Sequence, residues 1–251
     1  MASQSIPTRR ILERLDGHLN KNDYAAAEEH LLYWRAEAQK TGDRRAELLV
    51  QNELMGLYRK LGQKKNAMVC VEAALEQIRT MGIGHQVGAA TTLLNCATVC
   101  KAFEMAERSI LLFEQARAVY EKELDPADSR LGGLYNNMAL TLVDLKRFAE
   151  AKSLYQKAIS IMERAPEGDL EVAITYLNLA SAAEAELGLE EANEPILSYL
   201  EQAEALLEKH TNRDGYYAFV CEKCASVFEY YGSFFYAKEL LERARRIYEG
   251  T

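Results

Sequence analysis

Two cysteines three residues apart, Cys221 and Cys224 in CEKC, are the side chains of this 251-residue chain most readily given a chemistry. They could exchange thiol for disulfide or supply half of a tetrahedral zinc site. A structural zinc needs a second ligand pair, and no further CxxC or HxxxH supplies one. The pair falls where a helix needs apolar residues, as do Cys96 and Cys100, and a buried cysteine behaves as a small hydrophobe. The four histidines, His18, His30, His85 and His210, are scattered, with no serine, cysteine or carboxylate set beside them as a catalytic group. GIGHQVG, residues 82–88, is a distorted glycine-rich loop with no strand before it, so its glycines read as a helix end. The expectation is a protein that is not an enzyme, with no metal and no cofactor.

Amides carry the other candidate chemistry. Asn95, Asn137 and Asn178, in TLLNCAT, YNNMAL and YLNLAS, recur at steps of 42 and 41 residues. Asn52 lies one residue out of that register, and Lys223 takes the place in the last repeat. An asparagine inside a helix costs up to roughly 0.7 kcal/mol against alanine, because its short amide competes for backbone hydrogen bonds. Something must offset that cost. One amide offers a donor and an acceptor, so a row of them can pair with the N–H and C=O groups of an extended peptide. The same row can equally tie neighbouring helices together, and the residues alone leave both roles open.

The elements that hold these side chains are helices. Four prolines and 14 glycines set against abundant Ala, Leu, Glu and Lys, with no sustained strand alternation, make the chain all-α. Two ladders of small residues run along it. Ala67, Ser109, Ala151, Ala192 and Ala237 form one; Ala74, Ala116, Ala158, Ala203 and Ala244 form the other, both at about 42 residues. Rungs seven apart lie on one helix face, with a larger filler between them: Val71, Phe113, Tyr155 and Leu241. In the fifth repeat the rungs stand eleven apart, and Pro195 within ANEPILSYLEQA predicts a kink or a helix restart. Asp125-Pro126-Ala127-Asp128 reads as a helix start with Asp125 as its cap. Six helix pairs follow, roughly 8–44, 45–84, 85–127, 128–168, 169–213 and 214–250, in a single domain.

A formal charge of -8 without a basic cluster argues against a nucleic-acid partner. The first residues, MASQSIPTRRILERLDG, lack a signal peptide's apolar core, and no apolar run reaches the roughly 20 residues of a membrane span. Five cysteines, an odd count, suit a reducing compartment. The expected location is the cytoplasm, away from any membrane.

Within each unit the residues resemble the tetratricopeptide repeat: Ala139, Phe148, Ala151, Tyr155 and Ala158 fit its pattern of a small residue, a turn aromatic, then small, aromatic and small. The first repeat keeps Tyr24, Ala27 and Leu31 but departs in its first helix. The length, with LDPADSRLGGLYNNMALTL opening a repeat, is similar to the long variant of kinesin light chains. The resemblance implies a right-handed α-solenoid whose first helices line a concave groove that binds a peptide or protein segment. It places Asn52, Asn95, Asn136, Asn137, Asn178, Thr98, Lys101 and Ser181 in that groove. Asn136 stands where the third and fifth repeats have leucine, so the fold does not demand it, and family geometry makes it the first candidate for ligand contact. The lysines and arginines that clamp a terminal carboxylate in the chaperone-tail-binding branch are absent from the corresponding Leu94, Thr98, Leu140, Leu177, Ser181 and Ser226.

Two further roles compete with the scaffold. The last repeat, GYYAFVCEKCASVFEYYGSFFYAKELL, has more aromatics than its pattern needs, so Phe219, Phe228, Tyr230 and Phe234 are candidates for homodimer formation. A sensor of signalling peptides that acts on a partner in trans is the other.

Overall fold

The computed structural model describes residues 6–250, and over them the chain is all-α. Twelve helices follow one another: α1 (Thr8–Leu19), α2 (Tyr24–Thr41), α3 (Arg44–Lys60), α4 (Lys64–Met81), α5 (Val87–Ala102), α6 (Ala106–Glu123), α7 (Ser129–Asp144), α8 (Phe148–Met162), α9 (Asp169–Leu187), α10 (Asn193–Lys209), α11 (Gly215–Tyr230) and α12 (Phe234–Glu249). They make the six helix pairs of an α-solenoid. The chain divides into two compact units, one ending at Glu123 and the other beginning at Leu124. In the first, α3 packs on α2, α4 and α5, and α5 packs on α4 and α6. In the second, α9 is central, packed on α7, α8, α10 and α11.

Both small-residue ladders are core. Every rung from Ala67 to Ala244 is buried, because a side chain of that size lets the facing helix approach closely. Val71, Phe113 and Tyr155 fill the gaps between rungs, fully enclosed. Leu241 does not: it lies on the outer face of α12, where no further helix among the described residues covers it. The five cysteines are all buried and unpaired. Burial pushes the Cys96 and Cys224 thiols up to about 12, so neither is a ready thiolate. Among the described residues no group of His, Cys, Asp and Glu is arranged to hold a metal ion. No described helix is long and apolar enough to cross a membrane.

The hairpin turns repeat in the backbone more regularly than in the sequence. Asn22, Gly62, Glu104, Lys146, Gly188 and Gly232 all have positive φ, between 54° and 89°, at intervals of 40 to 44 residues. In the fourth hairpin the Lys146 N–H donates to the Val143 carbonyl at 2.9 Å and the Arg147 N–H to the Leu142 carbonyl at 2.8 Å, the two hydrogen bonds of a Schellman ending. Glu104 and Lys146 hold this shape at a local cost of order 1 kcal/mol each, which glycine would avoid.

Aspartates begin several helices. The Asp43 carboxylate accepts from Ala46 N–H at 3.0 Å, and that of Asp214 from Tyr216 and Tyr217 N–H at 2.9 and 3.0 Å. α7 starts later than its sequence suggests. Asp128, not Asp125, is its cap, accepting from Arg130 N–H at 3.0 Å while pairing with the Arg130 guanidinium. Those bonds hold the Asp128 carboxyl down at about 2. Asp125 instead closes the preceding turn through Ala127 N–H at 2.8 Å. In the fifth pair Pro195 marks a restart: α10 begins at Asn193, so the proline sits in the first turn, where its missing N–H has no intrahelical partner to lose.

Candidate functional site

The asparagines fall into two matching constellations, one in each unit. Between α3 and α5, the Asn52 amide donates to Thr92 Oγ1 at 2.9 Å and to the Leu48 carbonyl at 3.2 Å, and its Oδ1 accepts from Asn95 Nδ2 at 3.2 Å. Between α7 and α9, Asn136 Oδ1 accepts from Asn178 Nδ2 at 3.0 Å and lies 3.3 Å from the Thr175 hydroxyl, which also reaches the Glu171 carbonyl at 2.8 Å. A threonine and an asparagine one helical turn apart on the later helix face an asparagine on the earlier one. Asn52 and Asn136 therefore hold the same place in the repeat.

This placement departs from the sequence reading at Asn136. It is only 9% exposed and has both a hydroxyl and an amide partner inside the fold, so its presence has a structural reason. The signal was available: Asn52, one residue out of register with Asn95, is in register with Asn136. Asn137 is the amide left over. It is half-buried, and its side chain makes no hydrogen bond among the described residues, while its carbonyl accepts from Thr141 at 3.3 Å.

Of the other groove candidates, Thr98 and Ser181 turn their hydroxyls back to their own helices, at Leu94 O (2.9 Å) and Leu177 O (3.3 Å). Lys101 is half-buried and engaged within the fold. Sequence reasoning overlooked Glu53, which holds the Asn95 place in α3. Burial, and then the nearby Asp16 charge, raise its carboxyl above the ordinary range. The row thus reads Glu53 and Asn95 in the first unit, and Asn137, Asn178 and Lys223 in the second.

Aromatic side chains flank the second unit's row. On α11, Tyr216 stacks on Phe219 with ring centres 6.3 Å apart, and its hydroxyl bonds the Glu171 carboxylate of α9. At the other end, Tyr230 and Tyr231 each donate to Glu184 at 2.7 Å. Phe219 is 52% exposed, and Tyr230 and Phe234 are exposed as well. Phe228 is not: it is 0% exposed, edge-on to Tyr236 at 4.8 Å, so it belongs to the core of the last pair and is removed from any association surface. The residue sequence reasoning missed there is Phe235, 94% exposed at the start of α12.

Beside the start of α9 and α11 lies a cavity of about 310 Å³ walled by Gly168, Glu171, His210, Asn212 and Tyr216. His210 is buried there, with Nδ1 facing the Asp169 carboxylate at 2.9 and 3.0 Å and Nε2 facing the Asn212 carbonyl at 2.9 Å. Its ring stacks on Tyr217 at 5.6 Å. These bonds use both nitrogens to pin two loops, and no nucleophile is placed against them.

Residues 130–209 match the family model of the tetratricopeptide repeat. No curated protein matches the chain. Among solved structures it is similar to BtubC (BKLC) from P. vanneervenii, at 17% identity and a TM-score of 0.58, over 92% of this chain and 91% of that one. It is also similar to a Rap protein complexed with competence and sporulation factor (13% identity, TM-score 0.63, 97% of this chain and 64% of that one). NprR in complex with its cognate peptide NprX gives 16% identity and a TM-score of 0.62, over 97% and 68% of the two chains. At these identities the likeness is one of fold.

Proposed function

We propose that this chain, a tetratricopeptide-repeat protein by its matched repeats and its fold, is a non-enzymatic scaffold that binds an extended peptide or protein segment along its first helices. Two similarly folded proteins, the Rap protein and NprR, have a peptide or factor bound in their structures, which supports the reading. One observation carries it. Asn137 keeps a whole unspent amide on the half-exposed face, whereas its neighbours Asn136 and Asn178 are paired with each other. A free amide at that place can take both an N–H and a C=O from a backbone, whatever the side chains of the segment. The six repeats are read as a single array because the period runs from the first to the last, and the sensor acting in trans is a narrower form of the same function. Five unpaired thiols fit a cytoplasmic location, and the lack of a basic stripe favours peptide over nucleic acid.

The test is fluorescence anisotropy against a positional-scanning library of unstructured nonapeptides. Asn137→Ala is expected to weaken the best pools by roughly fivefold to tenfold, the worth of one backbone-directed amide pair. Equal affinity of the variant and the parent would sink the assignment.

A second reading, a homodimer, rests on α12. Phe234, Lys238, Leu241, Arg245 and Tyr248 form an exposed stripe at alternating spacings of four and three, flanked by Glu242 and Glu249. Apolar residues framed by alternating charge suit an antiparallel copy of the same helix. Phe234→Glu with Leu241→Glu should leave a monomer at concentrations where the parent sediments as a dimer. A parent that stays monomeric at high concentration removes this reading.

A further inference from the structure

The α11 helix breaks the amide row with a charge, and its surroundings say what that charge can meet. Asn178 spends its Nδ2 on Asn136, but the place before Asn178 is Leu177, which is buried and offers no acceptor to the next helix. Lys223, one repeat later, is therefore not held by the inter-helix amide pairing. It is exposed and has no carboxylate or ring partner among the described residues. The two α9 carboxylates that flank the row are already engaged, Glu171 by the Tyr216 hydroxyl and Glu184 by Tyr230 and Tyr231. Those carboxylates keep their charge, but their hydroxyl partners hold them in place and neither is within ion-pair distance of Lys223, the one cation of α11, which is left to meet a carboxylate from outside the chain.

Tyr216, Phe219, Lys223, Ser226 and Tyr230 follow one another at spacings of three and four, which places them on one helix face. Four residues of helix separate the exposed Phe219 ring from the lysine by about 6 Å along the axis. Alternate side chains of an extended strand are separated by a similar distance, roughly 6.6 Å. We infer that this face of α11 selects a segment carrying an apolar side chain and, two residues away, a carboxylate, the first seated on the Tyr216–Phe219 pair and the second on Lys223. The inference rests on the proposed peptide-binding role and names the class of its ligand.

The experiment uses the full chain and three nonapeptide pools, each with a fixed phenylalanine and, two positions away, Asp/Glu, Asn/Gln or Lys. The parent should bind the acidic pool about fivefold more tightly than the amide pool, as expected of one partly exposed ion pair. Lys223→Gln should abolish that difference without weakening the amide pool, and Lys223→Glu should shift the preference to lysine. Raising salt from about 50 to about 200 mM should weaken the acidic pool selectively. Circular dichroism serves as the folding control. Equal binding of acidic and amide pools, with Asn137→Ala still weakening both, overturns the inference and leaves the peptide-binding role standing. No binding of any pool by the parent overturns both. A rise in mass without peptide selectivity assigns the face to a second copy and overturns it too.

Discussion

Gly168→Ala is expected to destabilise the second unit by about 3 kcal/mol, at the upper end of what overpacking costs. The glycine is not there for its backbone angles, since φ -73° and ψ -8° suit any residue. A Cβ at that position would stand 2.0 Å from the Met162 carbonyl oxygen and 2.9 Å from its carbon. Both are backbone atoms, and the oxygen already accepts from Ala165 N–H at 3.0 Å, so neither can move without breaking the turn that leads into α9. Glu167 beside it is held at φ 56° and tied to Asn212 at 2.9 Å, which extends the disturbance to the α10–α11 loop. Gly132 is the control. There the added Cβ meets the Met162 side chain, with Cγ at 2.9 Å and Cε at 3.2 Å, and a flexible thioether can turn aside. Gly132→Ala should cost about 1 kcal/mol. Urea unfolding of both variants checks the pair, and a Gly168→Ala midpoint equal to that of the parent would refute the argument.

For Asn136→Ala the expected loss is about 2 kcal/mol, because the Asn178 amide and the Thr175 hydroxyl lose their shared acceptor in a buried place. Asn137→Ala, one residue on, should lie within about 0.5 kcal/mol of the parent. Asn136→Leu, the residue at that place in the third and fifth repeats, should not rescue the loss while Asn178 remains. Pairing it with Asn178→Leu should recover part of it, since removing both partners leaves no orphaned amide. A double-mutant cycle reads the coupling, expected to exceed about 1 kcal/mol. Additive effects would mean that the amide pair does not hold α7 to α9.

These two sites also mark how far the sequence could be read. The period, both small-residue ladders and the helix pairs were legible because a small residue at every close helix contact is a requirement of packing, and so recurs visibly. The turns were less legible: the left-handed position is occupied by Asn22, Glu104 and Lys146 as well as by glycines, since a Schellman turn can impose positive φ on other residues. In the sequence Asn136 points to a ligand because the adjacent repeats have leucine at its place, yet its structural counterpart is Asn52, two repeats back. Phe228 and Phe235 look alike in the sequence and end at opposite extremes of exposure.

By itself the sequence determined a helical array with small rungs and an amide row, because periodic constraints leave periodic residues. Only the tertiary structure decided which amide is spent and which is free, and that Lys223 lacks a partner where Glu171 and Glu184 have theirs. A hydrogen bond between side chains some 40 residues apart depends on how closely two helices approach and at what rotation, and neither quantity is written in the spacing of a single chain.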